Sequence, residues 1–396
     1  MAAEIKNLQL PYDIQVDQNS FTSYLNFDRV VFSISDAFLT DPGSWANLPE
    51  VVCIQRLLTL SRAIAEIKVV WESRVATEVF RAPNLFPFLA TLLCLDDVSH
   101  MANRTNTVLE TAAARKKIYS YQFSAEWFTD VQILLCADNR GQGRPSSLYS
   151  GETGELIDRD SFENLVDLLL STHKGYGAAN SQALFFIKAI GTIVAELFEN
   201  TELHGRLGLD GRQLTKSAIR GLFFKRVKIT KAGEWKKFSP ESGDSVTSRR
   251  DDSTELDALE ISIFDSGIGY YSAYTRVGLS EEVDLKTEWA VVHQCLQRHY
   301  DNSMDDARPS HRAMGLYEVL RALTLVRGMV EVRSGRVYGF RTFVPGELKF
   351  QLEPPDSTTR PNMPKPFLLD SVHKFVRKPT AHETLVGTSI RVLIPL

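Results

Sequence analysis

The chain has 396 residues, more than a usual single domain, so two domains with separate cores are expected. Its composition, 43% hydrophobic and 24% charged, is that of a soluble globular protein, and a formal charge of -4 gives no general pull toward nucleic acid or anionic membrane. The longest apolar run, 86–95, is about half of what a membrane-spanning helix needs and is interrupted by Pro87, so no membrane contact is expected. The N-terminal Met-Ala-Ala-Glu-Ile-Lys-Asn lacks the basic start and apolar stretch of a secretory signal, which leads to an expectation of a cytoplasmic protein. Cys53, Cys94, Cys136 and Cys295 form no Cys-x-x-Cys pair and read as buried thiols in a reducing compartment.

In chain order, 29–34 reads as a short strand, 51–67 carries apolar residues at helical spacing, 69–71 suits a second strand and 86–98 suits a buried helix. Residues 130–136 fit either strand or helix. This alternation predicts a smaller α/β domain over 1–155, loosely similar to the small STAS-type domains and assigned a regulatory or interaction role. The segment 139–154 is dense in glycine and serine and reads as a loop or linker at the boundary. Asp160-Ser161 is placed to cap a helix running to about Thr172, and Asn180-Ser181 to cap a longer one ending near His204, with Gly205 and Gly208 beyond it. Two strands, 223–230 and 259–264, flank a polar tract of mixed charge that reads as a solvated hairpin, not a nucleic-acid contact. A helix is predicted over 285–299, strands over 330–333 and 342–352, and a proline-rich loop over 354–366, with no internal repeats.

The longer helix carries the most informative pattern. Glu196, Asn200 and His204 recur every four residues and share one face of a mostly apolar helix. Burying a carboxylate, an amide and an imidazole without partners would cost several kcal/mol, so the stripe is expected to line a ligand cavity, the alternative being an ion pair or cap inside the core. Glu196-x-x-x-Asn200 resembles the first signature of the GHKL ATPases, the superfamily of gyrase, the large heat-shock chaperone, histidine kinases and MutL. Three further segments resemble the later signatures in the same order: Asp265-Ser-Gly267-Ile-Gly269 at the end of a strand, Met314-Gly315-Leu316 at the start of a helix, and Val386-Gly387-Thr388 opening a strand that ends in Pro395. The resemblance covers about 181–396 and implies that 156–396 is a two-layer α/β sandwich of the histidine-kinase-like ATPase type.

That resemblance implies Mg·ATP as ligand. Asn200 then offers a neutral oxygen to Mg²⁺, and Glu196, within about 6 Å of it along the helix, deprotonates the attacking water. Asp265 accepts from the exocyclic amine of adenine, Gly267 and Gly269 let the backbone come close to the base, and Thr388 helps fix the base through water. Gly315 and Leu316 open the helix that meets the triphosphate, and His204 is either a phosphate or lid contact or a satisfied packing histidine. The lid is expected over 270–314. The family's two glycines upstream of Gly315 are replaced by His311 and Ala313, with Arg312 between them, so Arg308, His311 or Arg312 is expected to meet the phosphates instead. The implied function is ATP binding with hydrolysis, in which lid closure controls a protein partner or homodimer. Two alternatives are a protein kinase of the histidine-kinase or anti-sigma serine-kinase type, the latter suggested by the Asn200-Thr-Glu-Leu-His204-Gly205 ending, and a nucleotide-gated module without turnover. The segment 98–105 loosely resembles a phospho-acceptor box around His100, although Met101 stands where an acidic residue is expected.

Overall fold

The computed structural model describes residues 4–36, 48–72, 85–96, 98–103, 105–120, 131–139, 143–151, 153–171, 181–230, 255–296, 315–343 and 368–396. Within them the chain is mixed α/β, with two sheets and nine α-helices. The first sheet follows chain order: Ile5–Leu10 (β1), Arg29–Ile34 (β2), Glu66–Trp71 (β3) and Val98–Ala102 (β4) run parallel, and Thr107–Val108 (β5) closes the edge antiparallel. In β2, Val30, Phe32 and Ile34 are buried and the residues between them are not, which is the two-residue period of a strand with one covered face. Gln18–Tyr24 (α1), Glu50–Ala63 (α2) and Phe86–Cys94 (α3) lie between successive strands, and Ala112–Tyr119 (α4) follows the sheet. Asp17 caps α1, accepting the N–H groups of Asn19 and Ser20.

The helix expected over 51–67 stops at Ala63, because Ile64 turns extended and 66–71 join the sheet as one strand. The helix expected over 86–98 likewise stops at Cys94, and the strand that follows carries His100. Every residue of α3, and α2 from Glu50 to Ser61, is buried. A helix without an exposed face has protein on both sides. Here the second covering layer is the other sheet.

That sheet is antiparallel throughout. Its order is Leu369–Asp370 (β11), Val337–Thr342 (β10), Met329–Gly335 (β9), Leu385–Pro395 (β12), Glu255–Asp265 (β8), Ile219–Thr230 (β7) and Val131–Ala137 (β6). The described part of the ambiguous 130–136 segment is thus β6, and it pairs with β7 upstream of the expected boundary near 155. The described part of the expected linker is built into the fold: Leu148 and Tyr149 are buried, and the Ala137 N–H donates to the Gly143 carbonyl at 2.7 Å. Alternate residues of this sheet face two cores. Ile133, Phe223 and Phe264 pack with α2, α3 and the parallel sheet, while Leu134, Leu222, Ile261 and Ile263 pack with Arg159–Ser171 (α5), Ser181–His204 (α6) and Gly315–Val326 (α9). The arrangement is therefore layered sheet, helices, sheet, helices, so the seven-stranded sheet is covered by helices on both faces, where a two-layer sandwich would cover one.

Smaller differences have local causes. α5 begins under Asp158, whose carboxylate accepts the Ser161 N–H at 2.8 Å, so the cap lies two residues before Asp160. Of the expected lid, 270–296 forms Gly269–Thr275 (α7) and Leu285–Cys295 (α8), and α8 is anchored by the Trp289 indole N–H donating to the Val376 carbonyl at 2.5 Å. The strand at 337–342 ends where the 342–352 strand was expected to begin. The polar tract 231–254, the lid segment 297–314 and the proline-rich loop lie outside the described residues.

Candidate functional site

Glycine determines how the end of α6 meets the end of β8. A Cβ on Gly205 would stand 2.5 Å from the Asp265 Cβ, and one on Gly267 would stand 2.7 Å from both the Gly205 Cα and the His204 carbonyl oxygen. Helix end and turn are therefore in backbone contact, as only glycine allows. The start of β12 closes the third side. Gly387, at φ +69, donates its N–H to the Gly267 carbonyl at 2.9 Å, and its Cβ would fall 1.9 Å from the Asp265 carbonyl oxygen.

Above this junction lies a cavity of about 30 Å³. Ile263 and Ile390 form its floor; Leu197, Asn200, Thr201 and His204 of α6 form one wall, Gly269, Tyr270 and Ala273 of α7 the other, and Asp265 and Thr388 close the end. Of the residues singled out from sequence, Asn200, His204, Asp265, Gly269 and Thr388 meet here, and Gly267 forms the contact beneath. The Asn200 amide N–H donates to the Glu196 carbonyl at 2.9 Å, so its side-chain oxygen is the end left for a ligand. Asp265 is buried. Its carboxylate accepts the N–H of Gly267 at 2.7 Å and that of Thr388, yet burial outweighs these bonds and the charges of Arg220 and Arg62, and pushes its pKa up to about 6. The Thr388 hydroxyl lies 3.2 Å from the Ser334 hydroxyl, which accepts the Tyr270 N–H at 2.9 Å and so ties α7 to the sheet. Partial burial, then the Arg276 charge, lowers the pKa of His204.

Other sequence-derived residues lie elsewhere. Glu196 pairs with Arg159 of α5 at 3.5 Å, one helical turn from the cavity wall. Gly315 is the first residue of α9, and Leu316 is buried in the core between α9 and α6. Arg308, His311 and Arg312 lie outside the described residues. His100 sits in the parallel sheet, not on a helical hairpin: its Nδ1 accepts the Trp71 indole N–H at 3.1 Å, and burial, followed by the Arg115 charge, lowers its pKa to about 4. That removes the phospho-acceptor reading. A buried neutral imidazole in a strand presents no nucleophile to solvent. Among the described residues no three His, Cys, Asp or Glu side chains are grouped to hold a metal, and no helix is long and apolar enough to cross a membrane.

Sequence reasoning missed the polar cluster under the α6 wall. Arg220 of β7 has no exposed side-chain surface; it bonds Asp138 through two nitrogens, at 2.5 and 2.9 Å, reaches Glu202 at 2.6 Å and the Thr201 hydroxyl at 3.2 Å, and meets the Tyr149 hydroxyl. Its partners come from β6's end, the supposed linker and α6, so no local spacing announces them. The signal was Arg220 itself, a cation followed directly by the apolar run Gly221-Leu-Phe-Phe224. When the chain is compared with family models, curated proteins and solved structures, no family model, curated protein or solved structure matches it.

Proposed function

We propose that this protein binds Mg·ATP in the cleft between α6 and the 265–269 turn, as a GHKL-type ATPase domain does, and that binding controls a protein partner or a second copy of the chain. One observation carries the reading: Asn200, His204, Asp265 and Thr388, drawn from three separate motifs, line a single cavity. Their chemistry fits the group. The Asn200 oxygen suits a hard cation that keeps most of its ligands as water and phosphate, and an ionised Asp265 accepts from the adenine amine, where guanine would present a carbonyl. Gly267, Gly269 and Gly387 hold backbone against protein where a Cβ has no room, which fixes the turn that carries Asp265. The cavity as it stands holds about one water, so a purine enters only when Tyr270 and Ala273 move outward. α7 is built for such a movement, being seven residues bounded by left-handed backbone at Gly269 and Arg276. Bound magnesium would offset triphosphate charge and orient the terminal phosphate.

Hydrolysis assigns Glu196 as the base, which requires its pair with Arg159 to open. That same pair favours a second reading, a nucleotide-gated module that does not turn ATP over. Calorimetry with Mg·ATP, followed by a phosphate-release assay on wild type and Glu196→Ala, tests both. Binding with release that Glu196→Ala abolishes supports the ATPase. Binding without release supports the gate, transfer of labelled γ-phosphate to protein supports a kinase, and absence of adenine-nucleotide binding rejects all three.

A further inference from the structure

The central strand β12 breaks its ladder where it enters the site. Its pairing with β9 shifts between Leu385 and Thr388, so the Val386 and Gly387 peptides fall out of the regular hydrogen-bond pattern. Buried backbone groups that leave a ladder must find other partners. The Gly387 N–H finds the Gly267 carbonyl. Both backbone groups of Val386 are taken by α2, on the opposite side of the sheet from the cavity: its N–H donates to the Thr59 hydroxyl at 3.1 Å, and its carbonyl accepts from the Gln55 amide at 3.0 Å. The Gln55 side-chain oxygen accepts from the Ser389 hydroxyl at 2.8 Å, which pins the far side of Thr388. One turn further along, Arg62 reaches the Gly267 carbonyl at 3.4 Å, and its other terminal nitrogen is buried with no hydrogen-bond partner. Positions 55, 59 and 62 share one helix face.

We propose that Gln55, Thr59 and Arg62 are positioning residues of the nucleotide site, so that the seating of α2, and with it the parallel-sheet part of the chain, sets the site's affinity. The inference rests on the Mg·ATP reading and adds its regulation. The bulge presents Thr388 to the cavity and brings the Gly387 N–H onto the turn that carries Asp265, and α2 supplies the bonds the bulge lacks. Coupling is reciprocal: nucleotide that fixes the turn and the bulge also tightens the hold on α2. Arg62 acts on charge as well. Asp265 is faced by Arg62 from α2, Arg220 from β7, Tyr270 from α7 and His204 at the end of α6, and Arg62 and Arg220 favour its ionised form.

The test uses the full chain and Mg·AMPPNP. Calorimetry on wild type, Thr59→Val, Thr59→Ser and Arg62→Met is paired with hydrogen exchange at the Val386 and Gly387 amides without nucleotide. Thr59→Val is expected to weaken binding about tenfold and to speed exchange at Val386, while Thr59→Ser, which keeps the hydroxyl, restores both. Arg62→Met leaves no buried group stranded and so keeps the test open if Thr59→Val fails to fold; it is expected to move the acid limb of binding to higher pH, which a purely structural residue would not do. If wild type binds and Thr59→Val or Arg62→Met binds equally well with the same pH profile, the positioning role is overturned and the nucleotide reading stands. If wild type does not bind, the nucleotide reading falls and the positioning role falls with it, even where exchange at Val386 responds.

Discussion

The seven-stranded sheet has two faces built from alternate residues of the same strands, and they hold their partners by different physics. Toward α5, α6 and α9 it presents Leu259, Ile261 and Ile263 of β8 and Ile390, Val392 and Ile394 of β12. Toward α2 it adds charge to the apolar Ile133, Phe223 and Phe264: Arg391 of β12 sits between Glu260 of β8 at 3.0 Å and Glu331 of β9 at 3.2 Å, and Lys225 of β7 reaches Glu50 of α2 at 3.1 Å. Burial alone would raise the pKa of Glu260, but Arg391 and Lys225 hold it below its ordinary value. Apolar contact is non-directional and tolerates the shift that opening a cleft requires. Paired charges and single hydrogen bonds lose their value when displaced by an ångström or so, and they fix register. The cleft lies on the tolerant face; its backbone is fixed from the directional one.

The largest effects come from breaking one member of each face. Arg391→Met leaves two buried carboxylates facing each other, with an expected loss of about 3–5 kcal/mol in urea unfolding, and adding Glu260→Leu and Glu331→Leu is expected to return most of it. Phe198→Ala, in the fully buried apolar wall of α6, is expected to cost a similar 3–5 kcal/mol that no partner substitution returns. Gly387→Ala touches the junction between the faces. Its positive φ and the 1.9 Å approach to the Asp265 carbonyl predict a loss of about 1–3 kcal/mol, and calorimetry is expected to show nucleotide binding lost with it.

A pH series sharpens the contrast at Asp265. Its pKa is raised to about 6, so its stability contribution is full below the ordinary value near 3.8 and is lost as pH rises through 6. The proposed nucleotide contact uses the ionised form and runs the other way, with affinity expected to fall about tenfold per unit below pH 6. Asp265→Asn is expected to flatten both profiles. The smallest effect is expected from Ile394→Val, a single buried methylene on the apolar face, at about 0.5–1.5 kcal/mol in thermal unfolding with nucleotide affinity unchanged.

Much of the candidate site's lining was legible because its residues announce themselves locally. Asn200 and His204 share a helix face by spacing, Asp265 follows an alternating strand, and Gly387 precedes a run of residues that ends in a proline. The α2 face was not legible, since Gln55 and Thr59 look like polar residues of an ordinary helix and their partner Val386 lies more than three hundred residues away. Glu196 was legible as a stripe residue and not as a partner of Arg159, because spacing fixes the face of a helix and not its occupant.

Short-range order therefore belongs to the sequence: the period of apolar residues determines strand or helix, and glycine marks where backbones can touch. What faces each element was decided only in three dimensions. β6 joins the second sheet across the expected boundary, α2 becomes a middle layer buried from Glu50 to Ser61, and Val386 in the β12 bulge finds its hydrogen-bond partners in the first part of the chain. The reason is physical. Burial and hydrogen bonding are satisfied by whichever groups come within reach, and reach is a property of the folded chain.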